Sequence, residues 1–319
     1  MCNSNALQRR GLAIGCGGTV GAAWIVAALA AVRDVLQWDP READALIGTS
    51  AGAEMVTMLA SGVSVDDLVA MQRGTVADPV LARHMADAPG RFPPLPRPRL
   101  GAPRMALHGN RSRQALLTAG SRLLPVGGGD ASWLQRLATD LNGDRDWFAH
   151  PAAWLVAMDY DSGERVAFGA PEAPAATVGQ ALRASWAVPG WFPPVPIAGR
   201  RFVDGGAAST ASVDLLLPLR LDELVVLTPM ASTRSVPAGG PGHWLERRLR
   251  GPMSAQLDSE IAAVRAAGTR VLRLAVTAAD LAVMARISWT AAAAARPSNT
   301  VCAAPAALWN GVNSHEPVR

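Results

Sequence analysis

The sequence predicts an α/β fold, with a mostly parallel central sheet sandwiched by helices. Three observations predict it. Short apolar runs suited to buried strands, at residues 12–14 and 45–47, alternate with longer helix-forming runs at 22–36 and 53–60. A glycine cluster at residues 15–21 separates the first strand from the first helix. The pentapeptide Gly48-Thr49-Ser50-Ala51-Gly52 separates the second strand from the second helix. Strand, sharp G-x-S-x-G turn and helix form a nucleophile elbow, which exposes a serine Oγ at the top of a sheet.

The remaining elements follow in order. Residues 78–103 hold many prolines and several arginines and are expected to be neither a regular helix nor a central strand. This loop insertion, about 78–104, is expected to border the site. Helices are expected over 111–124 and 133–141. Residues 154–158 read as a buried strand, Asp161-Ser162-Gly163 as a turn, and 165–168 as its hairpin partner. A helix at 177–184 precedes a short strand at 201–203 that runs into Asp204-Gly205-Gly206. Residues 223–228 form an apolar strand and 232–242 a Gly/Pro-rich loop. Ser254 is the expected N-cap of a helix carrying Leu257, Ile261 and Val264 on one face. Gly268 ends it before a strand at 271–276. An Ala-rich tail, about 279–319, is expected to be helical with a loose end. With no internal repeat, one catalytic domain spans 1–319.

Composition narrows the function. The chain has 319 residues, half of them hydrophobic, enough for one large core. All 30 basic residues are arginine, and the net charge of +4 is mild for this length. No dense basic run is interleaved with aromatics, which argues against nucleic-acid binding and leaves a transient attraction to anionic lipid surfaces open. Cys2, Cys16 and Cys302 are too scattered for a disulfide framework or a metal site. A cytoplasmic, reducing setting is expected, with no metal and no cofactor. Residues 11–32 are apolar enough to suggest a signal peptide or a membrane span, but their glycine cluster and embedded turn read as strand, loop and helix.

A nucleophilic Ser50 needs oxyanion donors and a base. Gly15-Cys16-Gly17-Gly18-Thr19-Val20-Gly21 supplies a loop in which consecutive N–H groups can converge on an anion. A dinucleotide fingerprint fails there at Val20, and no Gly-Lys-Ser/Thr follows to make a phosphate loop. Five histidines are present: His84, His108, His150, His243 and His315. None stands in a strand-to-loop context fitting a triad, and His150, before a proline, reads as structural. Asp204 stands at a strand end before two glycines, where a partly desolvated carboxylate could serve as base. The tripeptide alone better fits an ordinary Asp-Gly turn.

Together these pieces resemble the patatin-like phospholipase family. The loop at 16–21 is similar to its G-G-G-x-R-G oxyanion loop, and residues 48–52 match its G-x-S-x-G. Residues 184–194 look like its A-S-x-x-x-P-x-x-F-P-P block, and residues 204–206 match its D-G-G/A motif. The blocks occur in family order. The resemblance implies a three-layer patatin-like architecture and a Ser50–Asp204 dyad without histidine. It also implies an oxyanion hole at Gly17, Gly18 and Thr19, and structural roles for Pro189, Phe192 and Pro193. The implied substrate is a lipid or other acyl ester, met in transient contact with a membrane surface. Two residues depart from the pattern. Cys16 replaces the first loop glycine, and Val20 replaces the family arginine, which weakens a phospholipid preference in favour of a neutral ester or lysolipid. The alternatives are a histidine-dependent esterase or acyltransferase on the same elbow, and a non-catalytic lipid-binding protein with the same fold.

Overall fold

A computed structural model describes residues 8–87, 126–231, 241–277 and 280, without the side chains of 241–252. The chain opens with β1 (Arg10–Ile14), α1 (Gly18–Leu36), β2 (Ala45–Thr49), α2 (Ala51–Ala60), α3 (Val65–Arg73) and α4 (Pro79–Asp87). It resumes with α5 (Ser132–Asn142), β3 (Ala153–Asp159), β4 (Arg165–Phe168), α6 (Val178–Ser185), β5 (Val195–Ile197) and β6 (Arg200–Asp204). A 3-10 segment (Val213–Leu219), β7 (Glu223–Thr228), α7 (Pro241–Ala266) and β8 (Arg270–Ala275) follow, and two shorter 3-10 turns lie at Pro40–Glu42 and Gly205–Ala207.

The strands form one eight-stranded sheet in the order β5-β6-β3-β2-β1-β7-β8, with β4 also on β3. Parallel pairing joins β3, β2, β1, β7 and β8. The pairings of β4, β5 and β6 are antiparallel, so the sheet is mixed, with an antiparallel wing beside its parallel centre. Strands β2, β3 and β7 are buried along their whole length, as expected of a sheet covered on both faces. Side chains alternate between the covers. Leu12, Ile14, Leu46, Leu155, Val225 and Leu227 join one core. Ala13, Ile47, Trp154, Val156 and Val226 join the other, with Leu257, Ile261 and Val264 of α7.

Helix α1 is long and apolar enough to cross a membrane by length and composition alone, and half of that window is buried. In this fold it packs on α2 and α3 and puts Trp24, Ile25, Ala28 and Leu29 into the core.

Three expectations need correction. Residues 79–87 of the Pro/Arg-rich segment are helical. Pro79 sits at the first helical position, where its missing N–H costs no intrahelical bond. The Asp78 carboxylate accepts from Val80 N–H at 2.8 Å and Leu81 N–H at 3.1 Å. Ser254 is no cap, because α7 starts at Pro241 and runs through it; Gly242 is likewise helical. Helix α1 begins at Gly18, inside the expected glycine loop. Residues 88–103, the helix expected at 111–124, residues 232–240 and nearly all of the Ala-rich tail lie outside the described residues.

Helix α6 is held by a capping box. Thr177 Oγ1 accepts from Gln180 N–H at 3.2 Å, and Gln180 Oε1 accepts from Thr177 N–H at 2.9 Å. Replacing Thr177 by Ala should destabilise the protein by about 1 kcal/mol. The melting temperature should fall by about 2–4 °C, while Thr177→Ser stays near wild type, as read by thermal unfolding.

Candidate active site

Strand β3 brings the predicted residues together. Its residues 155–156 pair with β2 on one edge and β4 on the other. Its residues 157–158 pair with β4 and with β6. A strand has two edges, so β2 and β6 share one edge of β3, end to end. Thr49, the last residue of β2, is in register with Val156. Asp204, the last residue of β6, is in register with Ala157. Ser50 and Asp204 therefore meet where one partner strand gives way to the other.

The elbow is tightly built. Ser50 has φ 56° and ψ −120°, a strained conformation for a residue with a side chain. Holding it costs about 1–3 kcal/mol, drawn from the surrounding packing. The flanking glycines are required by close approach. A Cβ on Gly52 would stand 1.9 Å from the Ile14 carbonyl oxygen, and one on Gly48 would stand 2.4 Å from the Gly52 oxygen. Helix α2 thus lies directly against the end of β1. Ser50 is 3% exposed, and its N–H donates to Ser185 Oγ at 2.8 Å.

Asp204 is 5% exposed. Its Oδ1 accepts from Gly206 N–H at 2.7 Å, and the Ser50 hydroxyl lies near enough to favour its ionised form. Burial pushes its pKa from 3.8 up to about 6, and these two groups only partly oppose the rise. A carboxylate with a pKa of about 6 is mostly ionised at neutral pH and is a stronger base than an exposed one.

The glycine loop lies beside both residues. Gly15 N–H donates to Leu227 O and Cys16 N–H to Thr210 O, each at 2.8 Å. The next amides, Gly17, Gly18 and Thr19, open α1, where no intrahelical acceptor precedes them. Gly18 and Thr19 are exposed, and Gly18 has φ 57°. Cys16 is buried with an ordinary negative φ, so the position where the family has glycine does not demand one here. A Cβ on Gly206 would meet Cys16 Sγ at 3.1 Å, which puts the loop against the residues that follow Asp204. Val20 is half-buried against the core.

Among the described residues no histidine hydrogen-bonds Ser50 or Asp204. His84 Nε2 pairs with Glu54 Oε1 at 2.8 Å, buried, with its ring 5.1 Å from that of Trp133. His150 Nε2 bonds the Ala43 carbonyl at 2.8 Å, and burial lowers its pKa. His108 and His315 lie outside the described residues, and His243 lies in α7 where side chains are not described. No group of three or more metal-ligating side chains occurs among the described residues. Ser185 is the contact that the linear sequence did not single out. Its signal was its place in the A-S block.

A family model described as Patatin-like phospholipase matches residues 12–217, well over half of the chain. The match includes the glycine loop, Ser50, Ser185 and Asp204. It ends before β7 and β8, which extend the same sheet. No curated protein matches the chain.

The packing around Gly52 gives a direct test. Gly52→Ala should destabilise the fold by more than about 3 kcal/mol or prevent soluble expression, because the obstacle is backbone. Gly62→Ala, where a Cβ meets nothing within 4 Å, should cost about 1 kcal/mol for its φ of 93°. Equal melting temperatures for the two variants would contradict the close approach.

Proposed function

Because the chain belongs to the patatin-like phospholipase family, a family of lipid acyl hydrolases, we propose that it is a serine hydrolase of lipid acyl esters working through Ser50 and Asp204. The observation that carries this reading is the strand register that sets Ser50 beside Asp204, a buried carboxylate with a pKa of about 6. Ionised Asp204 takes the hydroxyl proton as Ser50 Oγ attacks the ester carbonyl. Negative charge on the carbonyl oxygen is met by the amides of Gly17, Gly18 and Thr19 and by the positive end of α1. Collapse of the tetrahedral intermediate breaks the bond to the alcohol, which receives the proton from Asp204. Water then gives a proton to Asp204 and attacks the acyl-enzyme, releasing the fatty acid and restoring Ser50.

The engagement of His84 by Glu54 and of His150 by Ala43 supports a base other than those histidines. The exposed loop at Gly18 and Thr19 supports substrate entry from that side. The protein is taken to be cytoplasmic and to reach its substrate in transient contact with a membrane surface. A net charge of +4 favours contact with anionic lipid.

Ser50→Ala and Asp204→Asn should each lower ester hydrolysis by at least about 10³-fold. A fluorophosphonate probe should label wild type at Ser50 and leave Ser50→Ala unlabelled. Full hydrolysis by Asp204→Asn would sink the dyad. The acid limb of kcat/KM should fall with a midpoint near the Asp204 pKa of about 6, since only the ionised carboxylate accepts the proton.

The same shift has a consequence for stability. A carboxyl with a folded pKa of about 6 and an ordinary value of 3.8 binds its proton more tightly folded than unfolded. Its relative contribution is most favourable below pH 3.8 and is lost as pH rises through 6. Asp204→Asn should therefore gain on wild type as pH rises from 4 to about 7, in thermal melts taken across that range. A gap in melting temperature that does not change with pH would contradict the raised pKa.

A further inference from the structure

The clearest unassigned interaction lies behind the nucleophile. Ser185 ends α6 and is 0% exposed. Its hydroxyl accepts from Ser50 N–H at 2.8 Å and donates to the Val156 carbonyl at 2.6 Å. The geometry of the sheet gives this bridge a meaning. Rungs of a parallel ladder repeat every second residue. The Leu46 N–H donates to the Ala152 carbonyl at 2.7 Å. Carried forward four residues on each strand, in the observed register, the same rung would join Ser50 N–H to the Val156 carbonyl. Those two groups are instead bound to one Ser185 Oγ.

We infer that Ser185 is a positioning residue for the nucleophile: its hydroxyl, inserted as the last rung between β2 and β3, holds Ser50 in the elbow conformation that turns its Oγ to Asp204. The inference rests on the proposed role of Ser50. A direct rung would draw Ser50 back into the strand, away from its positive φ. Loss of the hydroxyl would leave a buried N–H and a buried C=O unpaired. The same short segment also holds the other partner, because Asp204 N–H donates to the Ala187 carbonyl at 3.0 Å. Residues 185–187 thus grip both sides of the Ser50–Asp204 contact from the backbone. Ser185 reaches Ser50 only through its amide, so its effect falls on orientation rather than on proton transfer.

The test compares wild type with Ser185→Ala, which removes both hydrogen bonds, and Ser185→Thr, which keeps a hydroxyl. The readouts are kcat and KM on a soluble p-nitrophenyl ester, the rate of fluorophosphonate labelling, and amide exchange at Ser50. Ser185→Ala should lower kcat by about 10- to 100-fold, with KM within about two-fold of wild type. Labelling should slow in parallel, and the Ser50 amide should exchange faster. The acid limb of kcat/KM should move to higher pH, because Asp204 loses the hydroxyl that holds its pKa down. Ser185→Thr should recover most of the loss. If Ser185→Ala does not fold, Ser185→Cys keeps the volume, weakens both bonds and carries the same readouts. A kcat within about two-fold of wild type in the folded Ala or Cys variant would overturn the inference. Equal impairment of the Thr and Ala variants would also overturn it. If wild type neither hydrolyses esters nor labels, the hydrolase reading fails. Ser185 is then judged by amide exchange alone, and unchanged exchange at Ser50 in the folded variant overturns its role.

Discussion

The edge that β2 and β6 share on β3 is the constraint on which the candidate site depends. Both strands end on neighbouring residues of one ruler, Val156 and Ala157. Strand β2 runs parallel to β3 and β6 runs antiparallel, so their ends point at each other. Whatever follows β2 must therefore face whatever ends β6. The chain places Ser50 on one side of that junction and Asp204 on the other. Their contact is set by sheet register and not by the reach of two flexible loops.

Crowding at this junction explains its composition. Backbone approaches backbone where β1, α2 and the residues after Asp204 converge, and glycines occupy those positions. Gly52 packs on the Ile14 carbonyl, and a Cβ on Gly205 would stand 2.8 Å from the Val156 oxygen. The residues beyond Asp204 are braced from the opposite face. Arg165 bonds Asp214 through two nitrogens, at 2.7 and 2.6 Å, and Glu260 of α7 at 2.9 Å. Glu260 in turn accepts from Val213 N–H at 3.2 Å. Burial and the nearby Asp214 raise the Glu260 pKa against the pull of Arg165. Such a partly buried network adds little net stability but is costly to break, and it fixes how α7 sits under the segment that follows Asp204.

The candidate site is built from groups that cost stability. A carboxylate kept from water and a serine held at positive φ are both unfavourable in isolation. The doubly covered sheet supplies the burial that offsets them. Under the proposed mechanism the same burial makes Asp204 a usable base near neutral pH without a histidine. The capped helix α6 contributes at a distance, because its last turn delivers Ser185 and the residues after it to the junction.

Much of this was legible in the sequence. Alternating apolar strands and helices gave the α/β class, because a doubly covered strand must be apolar throughout. The G-x-S-x-G turn located Ser50, since only glycine fits against the neighbouring backbone at Gly48 and Gly52. Local pattern failed where tertiary context overrode it. Proline suggested irregular chain at residues 79–87, but Pro79 stands where a helix tolerates it. Ser254 looked like a cap, but it lies inside a helix that starts earlier. The sequence by itself determined the strand–turn–helix order, the two glycine-bounded turns and the residue types available for acyl chemistry. Only the tertiary structure decided that Asp204 faces Ser50, that its pKa rises, and that Ser185 stands between β2 and β3. Those outcomes depend on strand register and burial between segments more than a hundred residues apart, which local residue preferences do not encode.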